Sequence, residues 1–175
     1  MDSDEKIKFL KMAISCLRRA GDDRPIFSPD VPSENTIIKI KESIKTGEVD
    51  ESFLERFFPM AYEGVKEYGF FEYFFLVHNR TICMLEKYTK NKLVEWCTAY
   101  PSRIVKRKDS KWVVERIDSK EIITDSECYP GIITESVLKI GDLVILHRDK
   151  IHMVLSQKEF ETASEYYNRF KREQN

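Results

Sequence analysis

The sequence predicts an α+β protein in which an N-terminal helical module precedes a small β domain and a C-terminal helix. Up to about residue 91, apolar residues recur every three or four positions, which is the period of an amphipathic helix. From residue 92 onward, short β-branched and aromatic runs alternate with turn residues, a pattern typical of strands. The last run, after Ser156, returns to helical spacing. We therefore divide the chain into a helical module, residues 1–91, and a β domain with its C-terminal helix, residues 92–175.

The composition of the 175-residue chain is that of a soluble globular protein, with 42% hydrophobic and 34% charged residues. Lys and Arg number 29 against 30 for Asp and Glu, and a net charge of -1 argues against an overall polyanion-binding surface. The four cysteines include no Cys-x-x-Cys pair, which excludes the zinc-ribbon and thioredoxin motifs. The N-terminus does not resemble a signal peptide, and no apolar run is long enough for a membrane span. We expect a cytoplasmic protein with reduced thiols.

Capping residues and apolar spacing predict four helices in the N-terminal module. Short polar side chains cap helices because they accept hydrogen bonds from the free N–H groups of the first turn. The predicted caps are Asp2 or Ser3, Ser33 and Asp50, and the first three helices end before Gly21, at Thr46-Gly47 and at Phe58. A fourth helical stretch follows from Pro59 to Lys92 with an interruption at Tyr68-Gly69, and residues 22–32, with three prolines, are predicted as a loop.

An aromatic stripe on the fourth predicted helix contains a histidine. The stripe comprises Phe71, Phe74, Phe75, His78, Ile82 and Leu85 at helical spacing. We interpret His78 as a hydrogen-bonded residue of the core or its boundary, with a ligand role as the alternative. Cys16 and Cys83 are interpreted as small buried residues.

Five or six short strands are predicted in the β domain, separated by turn signals. They are Leu93–Tyr100, Arg103–Lys106, Trp112–Ile117, Glu121–Thr124, Leu143–His147 and Ile151–Leu155. Pro101 is expected to end the first of them. Strands of this number and length suggest a small closed or nearly closed barrel of the OB-like kind. Ser156 and Glu159 form a capping box that begins the C-terminal helix.

Cys97 and His147 are the best candidates for chemistry. Cys97 is expected within the strand that begins at Leu93, and His147 at the end of a later strand, where access is normally best. A thiolate and an imidazole suit a borderline or soft metal such as iron, zinc or copper. The same pair could form a nucleophilic cysteine with its base, or could have no chemical role. Because fifty positions separate the two residues, only folding could bring them together.

Two segments resemble the HypC/HybG/HupF hydrogenase-maturation chaperones. Residues 97–105, Cys-Thr-Ala-Tyr-Pro-Ser-Arg-Ile-Val, resemble the family's opening Cys-x-Ala/Gly-x-Pro signature. Residues 138–147, which end in Gly-Asp-Leu-Val-Ile-Leu-His, resemble its second signature, a Val-Gly-Asp-(apolar)-His strand. Residues 151–155 and the following helix are similar to the family's ending. The resemblance covers the part of the chain after Trp96.

The resemblance implies a small OB-like barrel that holds an iron centre while its ligands are built. Such a chaperone works with a maturation scaffold protein and delivers iron to the large subunit of a nickel-iron hydrogenase. The signature cysteine, here Cys97, would be the iron and partner contact, with His147 beside it. We therefore expect a divergent, non-catalytic, chaperone-like protein that binds a partner and an iron centre through Cys97 and His147.

An OB-type binder of single-stranded nucleic acid is the first alternative. The residues behind it form a basic and aromatic cluster: Arg103, Lys106, Arg107, Lys108, Lys111 and Trp112. Such clusters follow a phosphate backbone and stack a base. A solvated hairpin explains the same residues, and the balanced net charge adds no support for nucleic acid as a partner.

A protein-interaction module without chemistry is the second alternative, in which the aromatic helix from Phe70 to Leu85 packs against the barrel or forms a homodimer. Hydrolase chemistry is not supported, because the chain has no Gly-x-Ser-x-Gly, His-Glu-x-x-His or P-loop motif.

Overall fold

The computed structural model describes residues 1–16, 33–89 and 97–174. The chain divides into two compact units, Met1–Tyr73 and Phe74–Asn175. The predicted boundary at residues 91 and 92 lies outside the described residues. The predicted loop at residues 22–32 and the end of the first predicted helix also lie outside them.

Helices make up the first unit. They are α1 (Ser3–Ala13), followed by a 3-10 turn (Ile14–Cys16), α2 (Glu34–Thr46), α3 (Glu51–Phe57), α4 (Pro59–Tyr68) and α5 (Phe70–Glu72). The caps act as predicted: Asp2, Ser33 and Asp50 each accept a backbone N–H in the first turn of α1, α2 and α3. Gly47 ends α2 with φ of 79°, a left-handed conformation that only glycine adopts without steric cost.

An apolar core holds the helices of the first unit together. The rings of Phe9 and Phe58 meet edge to face at 5.7 Å, and Leu54 and Tyr62 are buried with them. A carboxylate oxygen of Glu5 in α1 accepts the Phe70 N–H at 3.0 Å, so α1 caps the start of α5.

The second unit combines one five-stranded sheet with two helices. A π-helical turn (Tyr73–Val77) leads into α6 (His78–Thr89), and the strands are β1 (Ala99–Lys108), β2 (Lys111–Arg116), β3 (Ile122–Cys128), β4 (Leu143–His147) and β5 (Lys150–Leu155). A 3-10 turn (Glu135–Val137) precedes β4, and α7 (Gln157–Gln174) follows β5. The protein is thus a mixture of helix and sheet, as predicted.

The strands pair in the order β1-β2-β3-β5-β4, and β4 pairs with β1, so the ring of strands is closed. All neighbours are antiparallel except β3 and β5, which are parallel. The core cluster of this unit comprises Ile104, Trp112, Val114, Leu138, Val144, Leu146 and Ile151. The buried face of α7 comprises Phe160, Ala163, Tyr167 and Phe170, the stripe that its helical spacing predicts.

Pro101 does not end a strand, contrary to the sequence-based expectation. It lies inside β1 and pairs with Ile145 of β4. Its carbonyl oxygen accepts the N–H of Ile117. The nitrogen and the carbonyl of one strand residue face the same side, so the Pro101 nitrogen faces the side of β2. Pairing with β2 begins only at Ser102, and the N–H that proline lacks is therefore not required there.

Candidate functional site

Cys97 and His147 lie next to each other. The first residue of β1, Ala99, is the Cα partner of His147 at the end of β4, which places Cys97 beside the strand end. His147 Nε2 lies 3.0 Å from the backbone carbonyl oxygen of Cys97. The predicted proximity is present, but the imidazole contacts the main chain of Cys97 through this bond.

Both side chains are buried, and Cys97 lies outside the strand. His147 is 1% exposed and Cys97 is 7% exposed, so the expectation that the strand end is accessible is wrong. The strand begins at Ala99, after Cys97, and the first half of the predicted strand from Leu93 falls in residues 90–96, which the structure does not describe. His147 packs against the rings of His78 in α6 and His152 in β5, which accounts for its burial.

The thiol of Cys97 has a cationic neighbour. Arg148 Nη2 lies 3.5 Å from Cys97 Sγ, within range of a hydrogen bond to sulfur. Arg148 and Asp149 form the two-residue link between β4 and β5, with φ of 53° and 56°. Such a hairpin turn favours Asn and Gly, because both positions are left-handed. Arg148 therefore has a strained left-handed backbone, and in this conformation its guanidinium contacts the Cys97 sulfur.

The three histidines of the chain form one buried group, which we call the histidine column: His78, His147 and His152. The ring centroids of His78 and His147 are 6.1 Å apart, and those of His147 and His152 are 5.5 Å apart. Each histidine comes from a different element: α6, β4 and β5. The column therefore joins a helix to two neighbouring strands within the second unit.

The histidines lie on the face of the strands that is opposite the core cluster. Leu146 and Ile151 belong to that cluster, and the adjacent residues His147 and His152 point to the other side because side chains alternate along a strand. The ring of Tyr129 packs against His152 with 4.9 Å between centroids.

Asn79 fastens α6 to the start of β1. Its Nδ2 donates to the carbonyl oxygens of Phe75 and Ala99, both at 3.2 Å, and its Oδ1 accepts the Ala99 N–H at 3.1 Å. His78 Nδ1 lies 3.4 Å from the same Oδ1. The π-helical turn that precedes α6 is a feature often found at functional sites. Asn79 therefore links the histidine column to the segment that holds Cys97.

Burial favours the neutral imidazoles of His78 and His147. It lowers the pKa of His78 to about 4, against the opposing effect of the Asn79 hydrogen bond, and the charge of Arg148 lowers this pKa further. Burial also holds the pKa of His147 well below its ordinary value, and His152, His78 and Arg148 act in the same direction. Both rings are therefore uncharged at neutral pH.

The neutral state determines which ring nitrogens carry protons. A carbonyl oxygen only accepts, so His147 Nε2 carries the proton that it donates to Cys97. Asn79 Oδ1 accepts the Ala99 N–H, and His78 Nδ1 is accordingly the donor towards it.

The contacts of Cys97 and His147 argue against an iron site made by these two residues. His147 Nε2 donates its proton to the Cys97 carbonyl, so Nδ1 is the ring nitrogen that keeps a lone pair for a metal. The thiol meets the guanidinium of Arg148, a cation that competes with a metal for sulfur. Within residues 1–16, 33–89 and 97–174, no three side chains of His, Cys, Asp or Glu are grouped so as to hold a metal ion.

The predicted nucleic-acid cluster falls on the hairpin of β1 and β2, but its aromatic member is inaccessible. Trp112 is 3% exposed and belongs to the core cluster, so its indole does not offer a face to a base. Arg107 lies over the Trp112 ring at 5.1 Å and pairs with Glu135, while Lys111 pairs with Glu127. Arg103, Lys106 and Lys108 are exposed, which is typical of a solvated hairpin.

Sequence reasoning identified His78 correctly as a buried, hydrogen-bonded residue, but it missed Asn79, Arg148 and His152. The signal for Asn79 was a polar residue within the aromatic stretch of a helix. For Arg148, the signal was the absence of Asn and Gly from the short polar segment between two predicted strands. The only signal for His152 was its position among apolar neighbours in a short predicted strand.

Comparisons with protein-family models, curated proteins and solved structures found no match to this chain. Among the described helices, none combines the length and apolar character needed to cross a membrane.

Proposed function

We propose that this chain is a non-catalytic, chaperone-like protein that binds a partner protein at the corner where Cys97 precedes β1 and β4 ends. The partner class comes from the resemblance to hydrogenase-maturation chaperones: a maturation scaffold or a hydrogenase large subunit. The observation that supports the proposal most is the 3.0 Å contact between His147 and the Cys97 carbonyl, because it joins the two segments that resemble the family's signatures.

The order of the strands supports an OB-like barrel as the scaffold. In this order β1 pairs with both β2 and β4, and β5 lies between β3 and β4. A Greek-key barrel of the OB type also has five strands. Partner-binding residues at a strand end suit such a scaffold, because the sheet holds them in position.

The polar rim of the corner is formed by the link between β4 and β5. Cys97 is 7% exposed, so a partner reaches the edge of its thiol and not the whole side chain. Arg148 is half-buried beside the sulfur, and Asp149 is exposed next to it. Iron is not part of this proposal, because a guanidinium contacts the Cys97 sulfur and the described residues contain no group of three metal-ligand side chains.

Binding of the purified chain to a purified maturation scaffold protein and to a hydrogenase large-subunit precursor, measured by calorimetry, tests the proposal. We expect Cys97→Ala to weaken binding at least tenfold, about 1.4 kcal/mol, with the fold retained. Cys128→Ala is the matched control, because Cys128 is a partly exposed cysteine of the same unit and should leave binding unchanged. Absence of binding to both proteins, or equal losses in the two variants, would contradict the proposal.

A further inference from the structure

The histidine column joins α6 to the outer face of β4 and β5 through rings that touch in series. His147 is in the middle, 6.1 Å from His78 on one side and 5.5 Å from His152 on the other, measured between ring centroids. All three are at most 5% exposed. A proton added to any ring would put a charge in an environment of low dielectric, close to two further imidazoles.

The neighbouring charges oppose such a proton. Arg148, in the link between β4 and β5, lowers the pKa of both His78 and His147. Cys97 and Tyr129 face the column from the segments before β1 and after β3. Asp149 is exposed in the same link as Arg148.

Other charged groups of the surrounding elements are engaged elsewhere. Glu127 of β3 pairs with Lys150 of β5 and with Lys111 of β2. Arg80 of α6 pairs with Glu173 of α7.

We infer that the histidine column is an acid-sensitive joint, which holds α6 against β4 and β5 while its imidazoles are neutral and releases α6 when acid protonates them. Release would also remove the His147 hydrogen bond that holds the Cys97 carbonyl, because an opened column leaves the ring free to hydrate. The inference is independent of the partner proposed above, since it needs only the three rings and Arg148.

The sign and window follow from linkage. A histidine whose pKa is lower in the folded protein than in the unfolded chain binds protons preferentially in the unfolded state. Its stabilising contribution is complete above the unfolded value, near 6.5, and is lost as the pH falls towards the folded value, about 4 for His78. Between pH 7.5 and pH 5, His78 alone should lower the ratio of folded to unfolded protein about 30-fold.

Proton NMR of the three imidazoles in the full chain gives the first test. Because the chain contains only three histidines, each ring signal can be followed separately. We expect the His78 and His147 signals of the folded protein to keep their neutral positions down to pH 5. A midpoint near 6.5 for either ring in the folded protein would overturn the inference.

Urea unfolding at pH 7.5 and pH 5 gives the second test and measures the folded-to-unfolded ratio. Hydrogen exchange of the peptide that covers β4 and β5 measures opening at the column itself. For His78→Gln, whose side chain does not titrate, the fall in the folded-to-unfolded ratio should be at least tenfold smaller than for the unaltered chain. Arg148→Gln should reduce the fall by a smaller amount, because the charge of Arg148 adds to the effect of burial in lowering the folded pKa values of His78 and His147. Equal falls in the unaltered chain and in His78→Gln would overturn the inference, and if that variant does not fold, the NMR titration decides.

Discussion

Asn79 and Ala99 exchange two hydrogen bonds, as two paired residues of an antiparallel sheet do. The Ala99 N–H donates to Asn79 Oδ1 at 3.1 Å, and Asn79 Nδ2 donates to the Ala99 carbonyl at 3.2 Å. The side chain thus takes the place of a strand at the beginning of β1, before the pairing of β1 with β2 starts at Ser102. Since Asn79 is fully buried, these bonds form away from water, where an unmade bond costs most.

Replacing this side chain by one of similar size without polar atoms should be strongly destabilising. Asn79→Leu leaves the buried N–H and carbonyl of Ala99 unsatisfied, and we expect a loss of about 2–4 kcal/mol in the free energy of unfolding. Urea denaturation of the full chain measures it. Asn168→Leu, at an exposed position of α7, is the control and should change stability by less than about 0.5 kcal/mol. Equal effects of the two substitutions would show that the Ala99 bonds are unimportant.

Arg116 connects α7 to the sheet, and its contribution to the free energy of unfolding should depend on the planar shape of its guanidinium. The group stacks on Tyr100, 3.8 Å from the ring centroid, and donates to the Tyr167 hydroxyl at 2.9 Å. Burial raises the pKa of Tyr167, so this hydroxyl remains protonated and donates to Asp118 at 3.3 Å. Arg116→Lys should cost about 1–2 kcal/mol, because lysine neither stacks nor forms a fork of donors.

A double-mutant cycle separates this network from simple loss of packing. Tyr167→Phe removes one hydroxyl and should cost about 1 kcal/mol by itself. In the Tyr167→Phe background, Arg116→Lys should cost at least 0.5 kcal/mol less, roughly the coupling expected of residues in contact. Additive effects would mean that the hydrogen bond between the two side chains contributes nothing to stability.

The helix ends of the first unit were predictable because their determinants are local. Ser33 accepts the Thr36 N–H, and Gly47 adopts the left-handed conformation after α2, within a few residues of each end. The same holds for Ser156 and Glu159, which form the predicted capping box before α7. These interactions depend on the sequence of one turn, and no distant contact is needed to identify them.

The candidate site was only partly predictable. The likeness of the segments around Cys97 and His147 to one family indicated their proximity, but not which atoms meet. Convergence of the histidine column depends on how α6 packs against β4 and β5, and no local pattern specifies that register. Trp112 was misassigned for a similar reason: a basic hairpin resembles a nucleic-acid surface until the closed sheet buries the indole.

Gly64 offers a test of packing in the first unit, because two effects of opposite sign compete there. Alanine in the middle of α4 should gain about 1 kcal/mol from helix propensity. A Cβ at this position would overlap the ring of Tyr73, and overpacking of this kind costs about 1–3 kcal/mol. We expect Gly64→Ala to be destabilising in thermal denaturation. In a Tyr73→Leu background the same substitution should become stabilising, and a stabilising effect in the unaltered chain would contradict this account.

The accessibility of the thiols should follow their burial. Cys128 is partly exposed, whereas Cys83 and Cys97 are buried, and burial raises the pKa of both Cys83 and Cys128. In a Cys16→Ser background, a maleimide should therefore label Cys128 first, and Cys83 and Cys97 only when the second unit opens. Peptide mapping by mass spectrometry measures the order. Labelling of Cys97 at the rate of Cys128 would show that the corner is open in solution.

In the link between β4 and β5, glycine should stabilise the protein more at position 149 than at position 148. Asp149 is exposed with φ of 56°, a conformation that glycine adopts without the steric cost of a Cβ, and Asp149→Gly should raise the free energy of unfolding by about 0.5–1 kcal/mol. Arg148→Gly relieves the same strain but loses the contact between the guanidinium and Cys97 Sγ, so its gain should be smaller. Urea midpoints of the two variants measure the difference. The two positions have nearly equal φ, so relief of backbone strain should be similar at both. A larger gain at Arg148 would therefore mean that the contact between its guanidinium and the Cys97 thiol does not stabilise the protein.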